Sequence, residues 1–369
     1  MAAFGTIAAV RTVNVNLPPE PYPIAIEPGL LREAGAYLRT LTSAGRAFVV
    51  TDANVAPLYL APLLASLARS EFEAGSHTLP AGEDYKTLGE IAKIYDTLIG
   101  GKIDRQSLVI ALGGGVVGDM TGFAAATVLR GVPFVQMPTT LLAMVDASVG
   151  GKTGIDHPLG KNLIGAFHQP MAVMIDPETL ATLPPRELRS GLAECIKHEI
   201  IRDADGFARL EGSIDRALRI DIDFLSDLIA HNVAIKAKVV EADPFERGER
   251  AHLNFGHTFG HAIENVSQFR LAHGECVALG IVAASRLAHR LGMLDAPALD
   301  RIIGLIARAQ LPSGGMTLDV DEIMQTMYFD KKVRSGKIRF VLPEKIGHAV
   351  IRDDVPNELV REALESLKG

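Results

Sequence analysis

Cysteine is nearly absent: Cys195 and Cys276 are the two thiols of a 369-residue chain. Two thiols cannot build the disulfide framework of a secreted scaffold, and the count suits a reducing cytoplasm. A basic excess is missing too, since 37 Lys+Arg face 44 Asp+Glu for a formal charge of −7. That balance excludes a general nucleic-acid partner, which would carry surplus positive charge. No apolar run reaches the ~20 residues of a membrane span. The most apolar region, 121–145, is interrupted by Arg130, Pro133 and Pro138. No basic stretch precedes the short apolar run at the N-terminus, so it reads as the approach to a first strand rather than a secretion signal. A soluble, cytoplasmic protein with no membrane partner is expected.

Hydrophobic residues make up 48% of the chain, too many for a disordered one. The length exceeds a usual single core, so two domains are expected. In the first half, β-branched runs at 46–51, 107–112 and 133–137 alternate with helical periodicities at 57–69, 88–99 and 118–129. This alternation predicts an α/β domain built on a parallel sheet. Beyond the paired prolines Pro184 and Pro185 the patterns are long and helical: 186–201, 222–241, 258–266, 275–291, 299–309 and 320–327. Only 338–342 in this half reads as a strand. The expected organisation is an α/β, Rossmann-like domain over 1–181 and a mainly α-helical domain over 182–369.

Three clusters carry chemistry. Gly113, Gly115 and Gly118 satisfy G-x-G-x-x-G between a predicted strand and a predicted helix. Glycine there admits close backbone approach, and a helix N-terminus offers free N–H groups to a pyrophosphate. The ribose-binding acid usual about 20 residues on is replaced by Thr139 and Thr140, and the nearest acid at a strand end is Asp52. The second cluster, 146–162, holds Lys152, Lys161 and Asn162 among glycines. Gly151-Lys152-Thr153 lacks the first glycine of a phosphate loop, because Asp146 stands there, so an anion-binding glycine-rich loop is expected. The third gathers His252, His257, His261, Glu264, His273 and Glu275, with Glu187, Gly191, Glu194 and His198 on one face of an upstream helix. His257 and His261, at i and i+4, suit a divalent metal together with a carboxylate. Spacing leaves Glu194, Glu264 and Glu275 open as that carboxylate. Cys195 and Cys276 fall in apolar helical patterns and read as buried small hydrophobes.

Together these strings resemble the 3-dehydroquinate synthase family of sugar-phosphate cyclases. The resemblance runs from about residue 50 to 345 through Gly82-Glu-Asp-Tyr-Lys86, Gly113-Gly-Gly-Val-Val-Gly-Asp119, Pro138-Thr-Thr140, Asp146-Ala-Ser-Val-Gly-Gly-Lys152 and Gly160-Lys-Asn162. It continues through Gly191-Leu-Ala-Glu-Cys-Ile-Lys-His198, Arg250-Ala-His-Leu-Asn-Phe-Gly-His257, His273-Gly-Glu275 and Asp330-Lys-Lys332. Cys195, Cys276 and Glu199 depart from the residue types more usual in that family.

The resemblance implies an NAD-dependent lyase with Zn2+ or Co2+, active in an interdomain cleft in the shikimate pathway. Its substrate would be a sugar phosphate that also bears a carboxylate, 3-deoxy-D-arabino-heptulosonate 7-phosphate. Glu194, His257 and His273 would hold the metal, and His261 would become a proton-transfer group. NAD would meet Asp52, Asn54, Glu83, Lys86, Gly114, Gly115, Asp119, Thr139, Thr140, Lys161, Asn162, Thr182 and Glu187. Substrate would meet Asp146, Lys152, Lys197, Lys236, Arg250, Asn254, His261 and one or both of Lys331 and Lys332, with Lys345 a weaker candidate. Arg130 would reach a substrate phosphate across a homodimer interface. The alternatives are another sugar-phosphate cyclase and a metal-dependent polyol dehydrogenase, which would have no use for the set Lys152, Lys197, Lys236 and Arg250. A regulator that has lost activity would lack part of the site, and no expected residue is missing. Nine of the 37 cations belong to these sets. The net charge therefore describes the outer surface and does not speak against a small polyanion.

Overall fold

A computed structural model describes residues 10–332 and 338–369, with the side chains of 329–332 outside that description. The chain divides into two compact units, one running to Leu183 and including Leu225–Glu241, the other comprising Pro184–Phe224 and Ala242–Gly369.

The first unit is built on a seven-stranded sheet. Its strands are β1 (Arg11–Val15), β2 (Tyr22–Ile26), β3 (Arg46–Asp52), β4 (Glu73–Leu79), β5 (Leu108–Gly113), β6 (Phe134–Pro138) and β9 (Ala172–Ile175), in the order β1-β2-β9-β6-β5-β3-β4. Every pairing is parallel except β1 with β2 at the edge. Parallel strands are covered on both faces, and β5 is accordingly buried throughout. Side chains alternate across the sheet. Ala47, Val49, Leu108 and Ile110 pack on one face with Leu38 of α1 (Ala34–Arg39) and Leu63 and Leu67 of α2 (Ala61–Arg69). Phe48, Val50 and Val109 pack on the other with Ile91, Ile94 and Leu98 of α3 (Leu88–Gly100) and Met120 and Ala124 of α4 (Gly115–Thr127). The connections reverse direction at β3, with β4 on one side and β5 on the other. A crevice thus opens at the carboxyl ends of β3 and β5, where α/β sheets bind ligands.

The 146–162 stretch, expected as a glycine-rich loop, folds otherwise. A π-type turn over Ala143–Ala147 leads into an antiparallel hairpin of β7 (Lys152–His157) and β8 (Gly160–Phe167). Its glycines serve close strand contact, since a Cβ on Gly154 would stand 2.6 Å from the Ile164 carbonyl oxygen and one on Gly165 2.2 Å from that of Thr153.

The second unit is helical. Its elements are α5 (Pro185–Arg202), α6 (Ala204–Leu218), α8 (His257–Val266), α9 (His273–Arg290), α10 (Ala296–Arg308), α11 (Val320–Lys332) and α12 (Asn357–Glu365), with the hairpin β10 (Phe340–Lys345) and β11 (His348–Arg352). Asp203 caps α6 by accepting from Asp205 and Gly206 N–H, and Asp295 caps α10 through Ala298 N–H. α9 is buried over most of its length and packs closely on α8, where a Cβ on Gly280 would lie 2.0 Å from the Gly256 carbonyl oxygen. The remaining helix, α7 (Ile222–Ala242), differs from the sequence expectation: residues 225–241 group with the first unit although they follow the helical half in sequence. Among the described residues no helix is long and apolar enough to cross a membrane.

Candidate functional site

In the first unit the glycine turn joins β5 to α4, with Gly114 at the cap and Asp119 one turn in. Gly118 is needed for packing, because a Cβ there would meet Gln136 Oε1 at 2.7 Å. Thr139 N–H donates to the Gly113 carbonyl at 2.9 Å, and Thr140 Oγ1 accepts from Ala143 N–H at 3.2 Å. Both threonines are thereby held beside the turn. Asp52 ends β3, and its Oδ1 accepts from Asn54 and Val55 N–H at 2.8 and 2.9 Å, so one oxygen is spent on shaping its own turn.

Lys86 organises the polar side of this unit. It is 3% exposed, and its Nζ donates to Asp119 Oδ2 at 2.7 Å and Asn162 Oδ1 at 2.5 Å. Lys161 Nζ stands 3.5 Å from Glu83 Oε1. Burial alone would lower Lys86, but Asp119 and Glu83 outweigh it and hold the ammonium above its ordinary value. Burial pushes Asp119 up against the pull of Lys86, and the 2.7 Å contact keeps the two as an ion pair. Asp156 ties the hairpin to Lys86: its N–H donates to the Lys86 carbonyl at 2.8 Å, and its Oδ1 accepts from Asn162 N–H at 2.8 Å. Thr182 Oγ1 lies 2.6 Å from the Tyr59 hydroxyl. Lys236 on α7 donates to both the carbonyl and Oδ1 of Asp146. Lys152 is exposed at the start of β7, and Arg130 is exposed with φ 68°.

In the second unit three helices bring the metal candidates together. α5 carries Glu194 and Lys197, α8 carries His257, His261 and Glu264, and α9 begins with His273. One ligand atom each from Glu194, His257 and His273 lies within 4.8 Å of the others. Glu194 is fully buried, with Oε1 3.4 Å from His257 Nε2 and 3.3 Å from His273 Nε2, and Oε2 paired with Lys197 Nζ. The two imidazole contacts, at 3.3 and 3.4 Å, are long for charge-assisted hydrogen bonds. A buried carboxylate left so between two imidazoles fits a divalent cation. His257 Nδ1 donates to the Phe255 carbonyl at 3.1 Å, which orients the ring so that Nε2 is the nitrogen turned to Glu194.

Electrostatics separate the imidazoles. Burial opposes ionisation of Glu194, but Lys197 and His257 hold its carboxyl well below the ordinary range. His273 is pushed up to about 9: burial works against it, and Glu194 and Glu264 more than compensate. His261 goes the other way, lowered to about 3 by desolvation and then by His257 and His273. Its side chain is open to solvent, so the desolvation part is smaller than for a sealed group and the pressure of the neighbouring rings remains.

The other candidates separate clearly. Glu275 is turned away, accepting from Ala272 N–H at 2.8 Å and pairing with Arg186. His261, Glu264 and His273 form a second donor group that shares His273. His252 Nδ1 bonds the Glu249 carbonyl at 2.9 Å. Arg250 is 3% exposed, its Nη1 donating to the Pro244 carbonyl at 2.7 Å and its N–H to Asp243 Oδ2 at 3.1 Å. Asn254 Nδ2 donates to Glu246 Oε1 at 2.8 Å. Glu246, at φ 56°, is a partner of Asn254 that sequence reasoning missed, and no spacing rule would have marked it. Glu187 is exposed on the first turn of α5, Lys345 is exposed at the end of β10, and Cys195 and Cys276 are buried. Lys331 and Lys332 have side chains outside the described residues.

A parallel sheet with a glycine turn in one unit, and a Glu-His-His set around a buried carboxylate on three helices in the other, define a class: α/β–α proteins equipped for a dinucleotide and a divalent metal. The family described as 3-dehydroquinate synthase N-terminal matches residues 76–190, and its C-terminal counterpart matches 191–333. The chain belongs to the 3-dehydroquinate synthase family. It is 46% identical over 362 residues to 3-dehydroquinate synthase of Nostoc punctiforme, covering 96% of this chain and 99% of that one. It is 48% identical over 361 residues to the Synechococcus sp. enzyme of that name, covering 96% and 98%. Among solved structures it resembles 2-epi-5-epi-valiolone synthase from Streptomyces hygroscopicus subsp. jinggangensis 5008, determined with NAD+ and Zn2+ bound. That match has a TM-score of 0.87 at 32% identity and covers 95% and 98% of the two chains.

Proposed function

We propose that this protein is a cytoplasmic 3-dehydroquinate synthase, a phosphate-eliminating lyase of the shikimate pathway that converts 3-deoxy-D-arabino-heptulosonate 7-phosphate to 3-dehydroquinate. Bound NAD+ supplies a hydride acceptor that is restored each turnover, and the metal supplies Lewis acidity at the hydroxyl being oxidised. Glu194, His257 and His273 hold the metal. The Gly114–Gly115 turn, Lys86, Asp119, Thr139, Thr140, Lys161 and Asn162 hold the dinucleotide, with Asp52, Asn54, Glu83, Thr182 and Glu187.

His261, kept neutral beside two other imidazoles, takes the hydroxyl proton. Oxidation there acidifies the adjacent C–H, so phosphate leaves by β-elimination. Re-reduction, ring opening and internal aldol closure complete the carbocycle. Arg250 is the bidentate partner for the substrate carboxylate, with Asn254 beside it. Lys152, Lys197, Lys236 and one or both of Lys331 and Lys332 balance the remaining negative charge in a site where fixed charges act strongly. The substrate is taken to dock beside Asp146.

The observation that carries this reading is the Glu194 carboxylate buried between His257 and His273 Nε2, with Arg250 buried in the turn that precedes α8. A neutral polyol would offer Arg250 no anionic partner, whereas a substrate carboxylate suits its planar fork. Purified protein with NAD+ and Zn2+ or Co2+ should release inorganic phosphate without net NADH, and a chelator should stop the release. Stoichiometric NADH without a carbocycle would instead establish a dehydrogenase. Equal rates on the heptulose phosphate lacking the carboxylate would favour another cyclase.

The reading includes a homodimer in which Arg130 reaches the neighbouring site. Its support is an apolar strip on the β7–β8 hairpin, where Leu159, Leu163 and Phe167 are exposed, together with Leu129 beside Arg130.

A further inference from the structure

His273-Gly-Glu275 opens α9, but only His273 faces the donor set. The two residues after it are fastened to α5. Gly274 N–H donates to Ser190 Oγ at 2.9 Å, and a Cβ on Gly274 would lie 2.3 Å from Ser190 Cα. Glu275 meets Arg186 side-on: Arg186 Nε donates to Oε1 at 3.0 Å and Nη2 to Oε2 at 2.5 Å. The same Nη2 donates to the Arg270 carbonyl at 2.9 Å, and Glu275 Oε2 also accepts from Ala272 N–H at 2.8 Å.

Arg186, Ser190 and Glu194 follow one another at i, i+4 and i+8 on α5, so the helix face that presents Glu194 also grips the two residues after His273. The turn leading into α9 is strained, with Gln268 and Phe269 both left-handed at φ 54° and 58°. Such backbone persists only where its surroundings over-determine it. Arg186 is about half exposed, and an ion pair so placed contributes little to global stability. Its three directed donor bonds therefore call for another purpose.

We propose that Arg186 and Glu275 are positioning residues for the metal: their bidentate pair clamps the 267–272 turn and the start of α9 to α5, and so holds His273 opposite Glu194. This rests on the metal set Glu194, His257 and His273 proposed above. Each residue acts through the backbone that carries the ligand, as outer-sphere partners of metal ligands commonly do.

The test measures Zn2+ affinity by chelator competition, and the visible spectrum of the Co2+ form, for Arg186→Ala, Arg186→Lys and Glu275→Gln. Each is expected to bind Zn2+ about 10- to 100-fold more weakly than the parent and to shift the Co2+ bands, while the metal-free melting temperature stays close to the parent's. Lysine, which keeps the charge and loses the fork, should behave as alanine does. Affinities within twofold of the parent in all three, full rescue by lysine, or losses that merely track metal-free melting would each overturn the clamp. His257→Ala separates the two claims. If it binds Zn2+ as the parent does, the metal set itself is wrong, whereas loss of metal there with unaffected Arg186 and Glu275 variants refutes the clamp alone.

Discussion

Glu194 turns Oε1 to two imidazoles and Oε2 to the Lys197 ammonium, and that arrangement sorts the residues around it. Replacing Glu194 or His257 with alanine should empty the site, with metal content by mass spectrometry falling to background. His261→Ala should keep its metal and lose turnover by about 10²–10⁴-fold, the usual range for a general acid–base group. Loss of metal in His261→Ala would move that residue into the ligand set. The i, i+4 spacing of His257 and His261 correctly put both rings on one helix face, 5.2 Å apart between centroids. Spacing said nothing of His273 or of which carboxylate turns inward, because those depend on how α5 and α9 pack against α8.

Helices and loops answer to different constraints. Gly280 sits where α9 crosses α8 at backbone contact, so Gly280→Ala should destabilise by about 1–3 kcal/mol in denaturant titrations, as overpacking does. Gly212, within α6, has nothing near its missing Cβ, and Gly212→Ala should stabilise by about 0.4–1 kcal/mol. The loop carrying Arg250 is held by Asp243, whose carboxylate accepts from Arg247, Gly248 and Arg250 N–H, and the first of these bonds contributes most to holding it below its ordinary value. A depressed folded pKa stabilises above the unfolded value of about 3.9 and loses that contribution as pH falls through the folded one. Stability of the parent should therefore drop more steeply than that of Asp243→Asn below about pH 4. At neutral pH the asparagine variant should show a raised KM for substrate with metal affinity unchanged. Of these elements, the long helices were legible from their periodicity. α6 was missed although Phe207, Leu210, Ile214 and Ala217 recur at helical spacing, and the β7–β8 hairpin was missed because glycines at 154 and 165 resemble a loop until strand contact gives them a reason.

For the whole molecule, the homodimer expectation is open to light scattering, which should give twice the chain mass of 39.5 kDa. Replacing Leu163 and Phe167 with polar residues should shift that mass toward a single chain, and Arg130→Ala should raise KM for the phosphorylated substrate while leaving the dimer intact. A monomeric parent would remove Arg130 from the proposed site.

What the sequence determined alone was local: strands and helices in alternation, a glycine turn between β5 and α4, the α5 and α7 spans, and motifs sufficient to indicate the family. Periodicity and turn chemistry act over a few residues, so they can be read without coordinates. The tertiary structure decided the rest. It grouped 225–241 with the sheet unit, turned Glu194 rather than Glu275 toward the imidazoles, and set Glu246 against Asn254. Each of those outcomes depends on which helix faces meet, and a face acquires its partner only when distant segments pack.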